Sequence, residues 1–303
     1  MKNYKVTIAI PAYKPDYLAR AIQSALSQTY TNLEIIVVDD KSPYNIESVI
    51  KSFSDERLFY SRNDINLGAK DPGCNWNRCV ELATGDYFCL LCDDDFYAPT
   101  FVEEMLALSI KYPDCKVFRS GVNIIDSNDN ITDYYASSPE YETVTDYMWH
   151  VFSGLRRQSI SEFMHVTKHI KQIKYFNVPL AWDADYTSIY KLAWNGGIVS
   201  SSKRLTYFRF SDSNISSKTN DMIPKLAAKC LCLDEVIRLL DNSNISNKNL
   251  LLKKLEHHKY TSQIWHVRNA SWGTVFRFLY HPHKYSLSYS IIIKGLIKKI
   301  QSI

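Results

Sequence analysis

The sequence predicts an α/β fold: a mostly parallel sheet flanked by helices, followed by a helical C-terminal extension. Three observations carry that prediction. Apolar, β-branched runs alternate with segments of helical spacing over about the first hundred residues. Several of those runs end at proline or at acidic residues, as strands buried on both faces do where they meet solvent. Past Ser216 the strand signals fade and helical periodicity takes over.

Residues 6–10 (VTIAI) form a continuous apolar run stopped by Pro11, the pattern of a central strand. Helical spacing follows over 17–26, with Leu18, Ile22, Ala25 and Leu26 on one face. Residues 33–38 are a second buried strand ending at Asp39-Asp40, and 45–53 form the next helix. A short strand at 58–60, a helix at 76–83 and a strand at 87–91 complete the series. Such alternation implies right-handed crossovers and helices on both faces of the sheet. Ligands gather at the carboxyl ends of the strands in sheets of this kind. Pro11-Ala12-Tyr13, Asp39-Asp40 and Asp93-Asp94-Asp95 each fall at such an end, so three distant polar elements are expected on one edge.

After Ser120 the pattern loosens. Residues 126–130 (DSNDN) form a turn and 134–142 a polar, aromatic loop, where an acceptor is expected to bind. Residues 224–240 and 250–267 have helical spacing, which divides the chain into regions 1–215 and 216–303. No internal repeat is visible.

Composition is that of a folded globular protein, with 46% hydrophobic and 22% charged residues. Against 32 acidic residues stand 36 Lys and Arg, and the resulting net charge of +4 is too small for a nucleic-acid-binding surface. Seven cysteines without a disulfide framework favour a reducing compartment. Cys89 and Cys92 form a C-x-x-C, but residues three apart on a strand point to opposite faces, so both are expected in the core. The apolar run at the start is too short for a signal peptide, and no window reaches transmembrane length. A cytoplasmic protein able to rest on a membrane surface is the expectation.

Three consecutive carboxylates after a buried strand raise one another's pKa unless something neutralises them. A divalent cation would do so, and oxygen ligands suit Mn²⁺ or Mg²⁺. The competing explanation is a solvated acidic turn before the helix that begins near Pro99-Thr100, since acids favour helix N-termini.

Further motifs decide between these two. Residues 7–13 (TIAIPAY), 22–30 (IQSALSQTY), 34–42 (EIIVVDDKS), 66–68 (NLG), 77–87 (NRCVELATGDY) and 90–99 (LLCDDDFYAP) follow one another in an order and spacing that resembles the family 2 glycosyltransferases of bacterial polysaccharide synthesis. The resemblance implies a Rossmann-like GT-A fold and a nucleotide-diphospho-sugar donor, with a UDP-sugar favoured. It further implies inversion at the anomeric carbon and a glycan or lipid-linked acceptor. By position, Pro11, Ala12 and Tyr13 would line the nucleotide pocket and Asp40 would bind the base. The acidic triplet would be the DxD motif, with Asp95 and Asp93 on the metal and Asp93 and Asp94 on the ribose or metal-bound water.

Residues 185–192 (DYTSIYKL) resemble the family's second acidic motif, whose Asp is the usual base. Asp185 is therefore the candidate, to accept the proton of the attacking hydroxyl. Asp183 is the alternative, and either could simply cap the helix. This chain departs from the pattern at three places. Trp76 stands where the family often has Arg, which leaves Lys70 or Arg78 for the phosphates. Ser211 replaces a frequent His and Ala184 a frequent Glu.

A non-catalytic nucleotide-sugar-binding partner of another transferase is the competing function, and those departures favour it. Retention of Asp40, Asp93, Asp94, Asp95 and Asp185 opposes it. A nucleotidyltransferase or a nicotinamide-dependent dehydrogenase would need a Gly-rich loop after the first strand, and no glycine precedes Gly68. Finally, residues 280–303 combine an apolar face with Lys294, Lys298 and Lys299. That suits an interfacial helix on anionic lipid or an ordinary amphipathic helix packed on its own domain.

Overall fold

The computed structural model describes residues 3–210 and 222–302. The expected division at 215/216 and the departure at Ser211 lie outside the described residues. In chain order the first half runs β1 (Val6–Ala12), α1 (Leu18–Leu26), β2 (Leu33–Asp39), α2 (Ile46–Ile50), β3 (Leu58–Arg62), α3 (Gly73–Leu82), β4 (Tyr87–Leu90), β5 (Phe96–Tyr97) and α4 (Phe101–Lys111). Then follow β6 (Val117–Ile125), β7 (Ile131–Tyr134), β8 (Tyr141–Glu142), α5 (Val144–Phe152), β9 (Phe163–Val166), α6 (Thr167–Ile173), α7 (Ala184–Leu192) and β10 (Ile198–Arg209). Four helices complete the chain: α8 (Met222–Asp241), α9 (Lys248–Asn269), α10 (Trp272–Tyr280) and α11 (Tyr289–Ile300).

The strands form one sheet in the order β3-β2-β1-β4-β9-β6-β10-β5, with β7 on β6 and β8 on β10. β1, β2, β3, β4, β6 and β10 run in one direction and the others against it. The insertion of β9 between β4 and β6 matters most for the site. Because β9 is antiparallel to β4, its first residue lies at the carboxyl end of β4, and the turn before it lies beyond that end. β10 runs parallel to β6, so its last residue, Arg209, reaches the same edge.

The period of two along each strand sorts the core into layers. Ile8, Ile10, Ile35, Val37, Cys89 and Leu91 pack with α1 and α4, whereas Ala9, Ile36, Val38, Phe88 and Leu90 pack on the other face with α3, α5 and α7. Cys89 and Cys92 accordingly belong to opposite layers, and all seven cysteines are free thiols. α8 and α9 extend the second layer through Leu233, Val236, Leu240, Leu251 and Leu255.

α10 and α11 close a smaller cluster over the end of α9. α11 approaches α9 so closely that a Cβ on Gly295 would lie 2.6 Å from the Val267 side chain and 3.2 Å from the Ile264 carbonyl oxygen. The expected interfacial helix is therefore shorter than 280–303. Tyr280 ends α10, a turn at 282–285 intervenes, and Ile291, Ile292 and Gly295 bury one face of α11.

Gly295→Leu should destabilise the protein by about 1–3 kcal/mol, the usual cost of overpacking. A lower urea midpoint at an unchanged slope would show it; an unchanged midpoint would mean that the two helices are not held this closely.

Candidate active site

The acidic triplet follows β4, where the chain turns towards β5 and each carboxylate takes a different direction. Asp93 points back to the end of β1 and accepts the backbone N–H groups of Tyr13 at 2.8 Å and Lys14 at 3.0 Å. Asp95 is fully buried. It accepts the Ser161 hydroxyl, at 2.6 Å, from the turn before β9, and the Arg209 backbone N–H, at 2.9 Å, from the end of β10. Asp94 feels the repulsion of both acidic neighbours and the opposing charge of Lys14. Its carboxylate, one oxygen of Asp95 and the Cys92 thiol lie within 4.8 Å of one another, the grouping best able to hold a cation among the described residues. Asp93, expected beside Asp95 on the metal, gives one oxygen, Oδ2, to the loop after β1.

Burial raises the pKa of all three carboxyls, and repulsion from neighbouring carboxylates adds to it for Asp95 and most for Asp94 between its two neighbours. Burial and the same aspartates also push the Cys92 thiol well up, so it stays protonated. Arg209 holds the turn from the far side. Its backbone N–H binds Asp95, its Nε donates to the Asp94 carbonyl oxygen at 3.0 Å, and its guanidinium lies 3.9 Å from the Tyr17 ring centroid.

Pro11, Ala12 and Tyr13 line this edge at the end of β1. Asp40 follows β2 and is also buried, but its carboxylate is largely committed to the protein. It accepts the Asn63 side-chain amide at 2.8 Å and the backbone N–H groups of Leu67 and Gly68 at 2.8 and 2.7 Å. A carboxylate offers about four acceptor sites, so room remains for one further donor. Gly68 is required here, since a Cβ would lie 2.8 Å from an Asp40 oxygen.

Among the residues considered for phosphate, Lys70 is exposed on the loop before α3, while Arg78 turns towards Glu81 at 3.5 Å. Trp76 is a packing residue, its ring edge-on to Tyr175 at 5.7 Å and wedged against the core.

Asp185 sits in the first turn of α7 and accepts the Gln158 side-chain amide at 3.0 Å. Gln158 in turn accepts the Tyr147 hydroxyl. Burial, reinforced by the charge of Asp183, pushes the Asp185 carboxyl up to about 7. Asp183 itself has a left-handed backbone, φ 61°, and pairs with Lys229 at 2.8 Å, which leaves Asp185 as the carboxylate without a cation. Between the two acidic centres lies Glu162, pushed up to about 7 by burial against the opposing pull of the buried Arg119. The phenol of Tyr135 is raised first by burial and then by the charges of Glu162, Asp95 and Asp185. Gln158, Ser161 and Glu162 are absent from the sequence-based site, and Tyr135 enters it only as part of the 134–142 loop. The signal that could have pointed to them is the S-x-x-E capping box of Ser159 and Glu162, which fixes this turn.

The family model for glycosyl transferase family 2 matches residues 7–164. The chain belongs to this family. Among its relatives, the glucosyltransferase WfaP of Escherichia coli, named for UDP-Glc and α-D-GlcNAc-diphosphoundecaprenol, is 33% identical over 137 residues, which are 45% of this chain and 52% of WfaP. The putative colanic acid biosynthesis glycosyl transferase WcaA of E. coli K12 is 37% identical over 111 residues, 35% of this chain and 39% of WcaA. The chain thus spans about half or less of these relatives' lengths. A crystal structure of S. aureus TarS in complex with UDP-GlcNAc superposes with a TM-score of 0.69 at 14% identity, covering 98% of this chain and 91% of that one. The chain therefore has the GT-A fold, with helices added at its C-terminus.

A raised carboxyl pKa means that the folded protein holds a proton the unfolded chain has already lost, so stability falls as pH rises from about 4 to about 7. Asp185→Asn removes that loss and keeps the Gln158 bond. The variant should be more stable than the parent above pH 7, with the difference fading towards pH 4, as read by thermal unfolding. A constant difference would mean that Asp185 titrates normally.

Proposed function

We propose that the chain transfers a sugar, with inversion, from a nucleotide-diphospho-sugar to a hydroxyl of a glycan or lipid-linked acceptor. A UDP-sugar is favoured, and the setting is polysaccharide synthesis in the cytoplasm. One observation carries this reading: the segment before β9 ties two carboxylate centres together, Asp95 through the Ser161 hydroxyl at 2.6 Å and Asp185 through the Gln158 amide at 3.0 Å. The donor is supported by the UDP-GlcNAc bound to TarS and by the UDP-Glc in the name of WfaP, and the lipid-linked acceptor by the rest of that name.

Asp94 leads the metal site in this reading, with Asp95 behind it, because both Asp95 oxygens already accept protein donors while the Asp94 carboxylate stands beside the Cys92 thiol in the candidate cation grouping. Mn²⁺ or Mg²⁺ there would neutralise the departing diphosphate. The nucleotide lies against Pro11, Ala12 and Tyr13, with its base at the remaining acceptor site of Asp40. Asp93 contributes by fixing the loop that the nucleotide touches, and Lys70, exposed on the loop before α3, is the candidate cation for the phosphates. Asp185 accepts the proton of the attacking hydroxyl while the new C–O bond forms and the bond to the diphosphate oxygen breaks. A carboxyl poised near 7 suits that task. Gln158 keeps it aimed.

UDP should bind more tightly to the parent protein with Mn²⁺ than with chelator, and Asp94→Ala should lose that difference. Asp95→Ala is a poorer probe, since it strands the Ser161 and Arg209 donors at a cost of about 1–3 kcal/mol. Equal binding by the parent in Mn²⁺ and chelator would refute the metal site.

Asp185→Asn should retain UDP affinity while transfer falls by about 10²–10⁴-fold, the loss typical of a general base. Asp183→Asn should keep most of the transfer activity. Full turnover by Asp185→Asn would place the base elsewhere. Should the parent bind UDP yet turn over no donor, the non-catalytic alternative would hold.

A further inference from the structure

We propose that α10 and α11 together form a docking face for an anionic lipid bilayer. On α10, Trp272, Phe276 and Tyr280 recur every fourth residue and are 46%, 56% and 79% exposed. On α11, Ile293, Ile297 and Ile300 repeat the pattern at 50–61% exposure. The two helices are neighbours. Lys299, near the end of α11, lies 5.4 Å from the Trp272 ring at the start of α10 and donates to the Ala270 carbonyl oxygen at 2.8 Å. Two apolar stripes thus face solvent from adjacent helices whose opposite faces, through Val275, Phe278, Ile291 and Ile292, are already spent on the core.

Charge selects the occupant. From His257 to Ile303 the sequence contains no Asp or Glu. Arg277, Lys284, Lys294 and Lys298 are exposed on the same elements. Apolar and aromatic side chains interleaved with unopposed cations fit the headgroup region of a bilayer, where the rings and isoleucines enter the acyl boundary and the cations meet anionic headgroups. A second copy of this face would bring like charges together. No helix among the described residues is long and apolar enough to cross a membrane, so the contact is peripheral.

The test is flotation of the full chain with vesicles of phosphatidylglycerol and phosphatidylcholine, against vesicles of phosphatidylcholine alone. The protein should float with the anionic vesicles and be released by added salt. Replacing Trp272, Phe276 and Ile297 together by Ser should lower binding by about tenfold or more with an unchanged melting curve, because all three side chains are exposed. Lys294→Glu with Lys298→Glu should weaken it by about tenfold without touching the apolar stripe. Equal binding to neutral vesicles, or parental binding by either variant, would overturn the proposal. So would a dimer in sedimentation equilibrium that the serine variant dissociates, which would assign the face to a second copy.

Discussion

The carboxylates after β4 accept hydrogen bonds from separate parts of the chain, and the carboxyl edge of the sheet is arranged round them. Asp93 takes two amides of the loop after β1, and Asp95 takes the end of β10 and the turn before β9. A buried carboxylate without partners would be too costly to keep ionised, so these bonds are what permits the triplet to exist. The segments that supply them are fixed in return. Loops that would otherwise move independently, those after β1 and β10 and before β9, share one acidic turn as their reference point.

The same economy explains why the three aspartates are not equivalent. Two serve as acceptors that hold the edge together, and the third sits between two like charges with its pKa raised. Hydrogen-bond donors within the protein cannot relieve repulsion along the triplet without consuming the oxygens a ligand would need. Asp185 shows a second solution: one amide donor, no cation, and a neighbour whose charge is absorbed by Lys229. The two centres thus differ by design of their surroundings and not by residue type.

Much of this was legible in the sequence. The strands β1 to β4 are apolar runs with polar ends, so the edge on which Asp40, the triplet and the end of β1 converge could be read without coordinates. β10 could not, because its run IVSSSKRLTYFR carries serines and cations and shifts register against β6 between Ser200 and Thr206, which breaks the alternation that marks a strand. β9 is four residues long and contains the buried His165. Missing these two strands meant missing Ser161 and the role of Arg209. The division of labour within the triplet was equally hidden: consecutive residues in a turn take directions set by the turn, and no periodicity reports them.

Arg209 also reaches beyond the triplet. Its guanidinium donates to the Asp126 carbonyl oxygen and pairs with Asp129, within the turn between β6 and β7. By sequence that turn is an ordinary exposed hairpin end, the kind of place where chains usually tolerate added residues. Here lengthening it would withdraw acceptors from a fully buried arginine whose own backbone positions Asp95. Natural variation in loop length should therefore be sparse at 126–129, and a fusion or tag inserted there would be felt at the acidic turn rather than absorbed at the surface.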